Sequence, residues 1–122
     1  MVIQQQRERI AREGSPPFSF QLAITEDTRK NLVDLAEQFP ETRPYLPYNS
    51  MVLNVSGGDE FDFAIVQLNN NLPREIATNF YTLYPGSSLE IPGGVIRSVF
   101  WEFVGTIDPS PEIDLFLQRI PR

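Results

Sequence analysis

The chain has 122 residues, with 10 Lys plus Arg against 16 Asp plus Glu and a formal charge of −6, a size that fits a single globular domain. It contains neither cysteine nor histidine. That excludes a disulfide framework, thiolate or imidazole catalysis and zinc sites of the usual nitrogen and sulfur ligands, and it points to a protein that is not an enzyme and carries no cofactor.

The acidic balance argues against nucleic acid, since phosphate binding needs clustered Lys and Arg. Lys30 is the one lysine, and the local concentration Arg7, Arg9, Arg12 is interleaved with Glu8 and Glu13. No apolar run approaches the roughly 20 residues of a membrane helix, and no signal-peptide pattern opens the chain, so a soluble protein with no membrane partner is expected.

Residues 1–17 are rich in Gln, Arg and Glu and end in Gly14-Ser15-Pro16-Pro17, which reads as an extended or partly helical N-terminal arm with a stiff exit. The arm carries three Arg and two Glu, whereas residues 18–122 carry seven basic and fourteen acidic groups. With few apolar residues (Val2, Ile3, Ile10, Ala11), the arm cannot fold alone and needs a partner to order it.

From Phe18 onward the period is two. Phe18, Phe20, Leu22 and Ile24 share one face of a first strand, and Met51, Leu53 and Val55 share one face of another. After the turn residues Ser56-Gly57-Gly58-Asp59, Phe61, Phe63 and Ile65 alternate again, which suggests a hairpin. Ile76 to Tyr84 is a β-prone run, Leu89 to Ile91 a short one and Val95 to Val104 a long one, in which Val95, Val99, Trp101 and Phe103 share a face interrupted by Arg97. Ile113, Leu115 and Leu117 close the series. Residues 31–39 fit either a helix, capped by Thr28 or Asn31 and ended by Pro40, or a strand running into a loop; Pro40 to Tyr48 reads as an extended loop. The expected fold is an all-β antiparallel β-sandwich or jelly roll over residues 18–122.

Few constellations carry chemistry. Asp59, Glu60 and Asp62 lack calcium-loop spacing and read as a solvated turn, so no metal is expected. Trp101 takes the core register, which sends Phe100 outward as an interface candidate. Arg97 either reaches a carboxylate or sits at a subunit contact. Asn69 to Glu75 reads as a solvated connector.

The Gln- and Arg-rich arm, the Phe18-Ser19-Phe20 strand and the turns Tyr84-Pro85-Gly86-Ser87 and Ile91-Pro92-Gly93-Gly94 resemble small β-sandwich structural proteins of tailed bacteriophage virions, of the capsid decoration or cement type. The resemblance implies a homotrimer on the outer surface of the capsid, assembled in the host cytoplasm. It would bind the major capsid protein or another virion subunit and stabilise the shell. Partner-binding residues are then expected at Ile3, Arg7, Ile10 and Arg12 of the arm and at Tyr45, Tyr48 and Phe100. The alternatives are a carbohydrate- or receptor-binding β module and a neck or tail adaptor.

Overall fold

A computed structural model describes residues 14–121. Eight strands are present: β1 (Phe18–Ala23), β2 (Lys30–Asp34), β3 (Ser50–Ser56), β4 (Phe61–Leu68), β5 (Tyr81–Leu83), β6 (Ser88–Ile91), β7 (Ser98–Gly105) and β8 (Glu112–Gln118). A one-turn helix α1 (Leu35–Gln38) and a 3-10 helix (Pro40–Tyr45) lie between β2 and β3.

The strands form two antiparallel four-stranded sheets, one in the order β1-β8-β3-β6 and the other β2-β7-β4-β5. Each sequential pair, β1/β2, β3/β4, β5/β6 and β7/β8, is divided between the sheets. This is a jelly roll, the second of the two architectures expected. It also corrects one local reading: β3 and β4 are not a hairpin, because β3 pairs with β6 and β8 while β4 pairs with β5 and β7. The Gly57–Glu60 turn carries the chain across the sandwich, and alternation alone cannot distinguish a turn within a sheet from one between sheets.

The period-two residues of β3, β8 and the end of β7 meet where expected, but in β4 a bulge between Phe61 and Phe63 shifts the phase, so that Ala64 and Val66, and not Phe63 and Ile65, join Phe61 in the core. Met51, Leu53, Val55, Ile113, Leu115 and Leu117 from one sheet and Val33, Ala64, Val66, Val99, Trp101 and Phe103 from the other are buried in one core. Trp101 is 1% exposed, with its indole Nε1 donating to the Thr28 carbonyl at 2.9 Å, so its polar edge is satisfied inside. Phe61 and Phe103 meet edge to face with centroids 5.0 Å apart.

Residues 31–39 turn out to be both strand and helix. Lys30–Asp34 pairs with β7, and the Asp34 carboxylate then accepts from the Glu37 amide at 3.3 Å, starting the single turn of α1. Phe39 leaves the helix and lays its ring against Phe18 and Phe20, with centroid distances of 4.9 and 5.3 Å, filling the margin between edge strands β1 and β2. Pro40 to Tyr45 is a 3-10 helix rather than an extended loop. Tyr48 then forms a two-way backbone bridge with Ile96, at 3.0 and 2.8 Å.

Two further boundaries shift. Only Tyr81–Leu83 of the run 76–84 pairs as a strand, because the chain from Asn69 is held over the outside of the β4 sheet. Gln67 Nε2 donates to the Leu72 carbonyl at 2.8 Å, the Leu72 amide donates back to Gln67 Oε1 at 3.3 Å, and Arg74 Nε reaches Glu102 Oε2 at 3.3 Å. The connector read as solvated is thus tied down at several points. β7 begins at Ser98, and the inward phase slips by one residue before it: Ile96 is buried while Val95 is 57% exposed and Arg97 is exposed. Asn69, at φ 60°, holds that slip, donating Nδ2 to the Val95 carbonyl at 2.6 Å and accepting the Arg97 amide on Oδ1 at 2.7 Å. Arg97 therefore lies off the apolar face and does not interrupt it.

Candidate functional site

The topology places the β1–β2, β3–β4, β5–β6 and β7–β8 turns at one end of the sandwich. The β2–β3, β4–β5 and β6–β7 connections, with Ser15 and Arg119, lie at the other. Charge divides along the same axis. The turn end gathers Glu26, Asp27, Asp59, Glu60, Asp62, Asp108 and Glu112, all exposed, against Arg29 and Lys30. Arg74 stands beside Arg29 and Lys30 on that side, bonded to Glu102, and the opposite end carries Arg43, Arg97 and Arg119 among Glu37 and Glu41. These acidic residues are up to 86 positions apart in the chain, Glu26 to Glu112, so only the fold brings them together.

Three of the turns at the acidic end are locked to one another. Gly58, at φ 57°, sits so close to the β7–β8 loop that a Cβ there would lie 2.6 Å from the Pro109 carbonyl and closer still to the Pro111 nitrogen. The Ile24 amide donates to the Pro111 carbonyl at 2.8 Å. Arg29 spans the β1–β2 turn and the end of β7: Nε donates to the Phe103 carbonyl at 3.3 Å, Nη2 to the Gly105 carbonyl, and Nη1 to both oxygens of Glu26 at 3.0 and 2.9 Å. Thr28 closes the same turn, its hydroxyl donating to the Ala23 carbonyl at 2.9 Å and accepting the Thr25 amide at 2.8 Å. With Arg29 engaged in this way, the carboxylates around it face solvent on a fixed platform. Lone turn carboxylates are ordinarily only solvated; here seven converge on loops that touch, and their fields add. Among the described residues, no three His, Cys, Asp or Glu side chains are grouped to hold a metal ion.

A second surface runs along the free edge of β5, where Phe80, Tyr81 and Tyr84 are 41%, 43% and 60% exposed. Tyr81 lies opposite Val66 in the inward row, yet it stays open to solvent because no further strand flanks it.

The residues singled out from the sequence fall elsewhere. Ile3, Arg7, Ile10 and Arg12 lie outside the described residues. Tyr48 is 1% exposed and Tyr45 half-buried, both packed into or against the core. Phe100 points out of the sandwich as its register requires, yet it is only 6% exposed, lying between Leu32 and Gln67 on the face over which the Asn69–Phe80 connector folds. The acidic end was missed because its members are scattered along the chain as ordinary turn residues; the signal available was that three of the segments flanked by alternating runs each carry Asp or Glu.

No family model matches the chain, and no curated protein does. Among solved structures, the crystal structure of the Drosophila NLP core, described in terms of pentamer formation and histone binding, matches at 13% identity. The match covers 86% of this chain and 97% of that one, with a TM-score of 0.42. The phage reading is corrected accordingly: the neighbour found is a histone-binding pentamer core and not a virion protein. With it fall the capsid decoration function, the major capsid protein as partner and the homotrimer. The resemblance rested on Pro-Gly turns and an arm composition, and such turns are what any sandwich of short strands requires.

Proposed function

We propose that the chain is a non-enzymatic binding module that engages a strongly basic protein segment on its acidic end. The observation that supports this is the convergence of Glu26, Asp27, Asp59, Glu60, Asp62, Asp108 and Glu112 on three mutually braced turns, with Arg29 already held by Glu26. A dense, fixed field of one sign accelerates encounter with a partner of the opposite sign and selects against partners of the same sign, including nucleic-acid phosphates. Because the carboxylates are exposed, their attraction is screened over about 8 Å at physiological ionic strength, so binding of this kind weakens steeply with salt. The absence of Cys and His from the whole sequence fits a role in which side chains attract and do not react.

The test is a titration with a lysine-rich histone-tail peptide at low and high salt, comparing the wild-type chain with a variant carrying Asp59→Lys, Glu60→Lys and Asp108→Lys. All three positions are exposed and leave Gly58 and Arg29 untouched. The expected result is affinity that falls with salt and is at least about tenfold weaker in the variant, equivalent to about 1.4 kcal/mol. Equal affinity of the two proteins, or no binding by the wild type at low salt, rejects the reading.

A further inference from the structure

The outer face of the β1-β8-β3-β6 sheet has a composition unlike the rest of the surface. Its central row runs Ser19, Phe116, Val52, Glu90 across the four strands, and the next runs Gln21, Asp114, Asn54, Ser88. Phe116 is 39% exposed with Val52 beside it, and Ser19, Gln21, Asn54 and Asp114 line a shallow depression next to the Phe116 ring. The face carries Glu90, Glu112 and Asp114, and its four strands contain no Lys or Arg. It is an apolar centre in an acidic surround with no cation of its own.

The chain supplies a complementary segment at the margin of this face. Ser15 is pinned beside the end of β8, its amide donating to the Arg119 carbonyl at 2.8 Å and its hydroxyl accepting the Arg119 amide at 2.8 Å. Immediately before it, Gly14 adopts φ 83° in a space where a Cβ would lie 2.5 Å from the Arg119 carbonyl and 2.9 Å from the Pro121 ring. A left-handed glycine at that point is what a chain reversal requires. The thirteen residues that precede it hold Val2, Ile3 and Ile10 with Arg7, Arg9 and Arg12.

We propose that residues 1–13 of the same chain dock on the outer face of this sheet, with Ile10 against Phe116 and the arginines toward Asp114, Glu112 and Glu90. The reach suffices. Phe116 lies three residues along β8 from Arg119, about 10 Å, and one strand spacing of about 4.8 Å to the side, which makes about 11 Å in a straight line. The four residues from Gly14 back to Ile10 span up to about 13–14 Å. The remaining residues can cross to β6 whether extended or coiled. The occupant is the chain's own segment because its root lies on this sheet, and because a single segment answers both the apolar and the acidic part of the face.

The experiment is a trypsin time course on the full chain, read at Arg7, Arg9 and Arg12, for the wild type and for a variant carrying Phe116→Ser and Asp114→Lys. Retention of the buried Trp101 emission verifies that the variant keeps its fold. Cleavage of a docked segment follows its open population, so the variant is expected to be cut on the order of tenfold faster. Since the chain has no cysteine, Ala11→Cys, which keeps Ile10, also accepts a single nitroxide label, expected to broaden the amide signals of Val52 and Phe116 and to spare Thr82. Equal cleavage rates, or label effects absent from the outer face, overturn the proposal. Protection that rises with protein concentration assigns the face to a second copy and overturns it as well. Neither readout uses a basic ligand, so the outcome is independent of the acidic-end reading.

Discussion

Tyr48 shows what a single buried group does to the stability of this fold. Burial pushes its phenol from the ordinary 10.0 up to about 12, with Tyr45 and Glu41 adding to the effect. The folded state thus holds the proton more tightly than the unfolded chain does. This contribution to stability is fully present below about pH 10 and is lost as pH rises toward about 12. Denaturant unfolding between about pH 8 and about pH 11 is therefore expected to show a decline in the wild type that is smaller in Tyr48→Phe, the two differing little near neutrality. Asn69 gives a second test. It occupies a left-handed conformation and satisfies three backbone groups around the phase slip before β7. Asn69→Ala is expected to cost about 1–3 kcal/mol in chemical denaturation, and Asn69→Gly less, because glycine keeps the conformation while losing the bonds. Such a residue could be listed from the sequence only as a polar connector, since nothing in its neighbours announces a φ above zero.

At the level of elements, the strands were legible wherever one face is buried and the other wet. β1, β3 and β8 read directly from Phe18-Phe20-Leu22, Met51-Leu53-Val55 and Ile113-Leu115-Leu117. Reading failed where both faces are covered or where a side chain redirects the backbone. In β4, Ala64, Ile65, Val66 and Gln67 are all buried, and the outward members are hidden by a connector that looks soluble in isolation. In residues 31–39 the even balance between helix and strand reflected a real succession, resolved by Asp34 at the junction. Asp34→Ala is expected to cost about 1 kcal/mol of stability through the lost cap. Phe39→Ala, which removes the ring stacked on Phe18 and Phe20, is expected to cost about 2–3 kcal/mol, below the range for a fully buried phenylalanine because the site is half-buried. Thermal or urea unfolding of the two variants orders them; equal losses would mean that the ring closes nothing.

For the whole molecule, the net charge of −6 is an average over a polarised body. The compositional break at Gly14 was visible along the chain, but the stronger asymmetry, seven carboxylates gathered on the turns of one end, required the jelly-roll order to be known. The same topology governs folding. β1 pairs with β8 from Phe18↔Leu117 to Ala23↔Glu112, so the first strand finds its partner only at the end of the chain. Pairings this distant in sequence make folding slow, and stopped-flow refolding is expected in the millisecond-to-second range.

The clamps at Ser15 and Asn49 have an engineering consequence. Ser15 is bonded to Arg119, and the Asn49 side chain accepts the Ile120 amide at 2.7 Å and donates to its carbonyl at 2.9 Å, which fastens the exit of β8 beside the entry to β1. Entry and exit can be joined by a short Gly-Ser bridge and the ring reopened at Gly86, whose surroundings are empty. Such a circular permutant would preserve every strand pair while moving its free ends to the acidic pole. A surface tether placed there would hide that pole, whereas a tether at the native ends would present it outward.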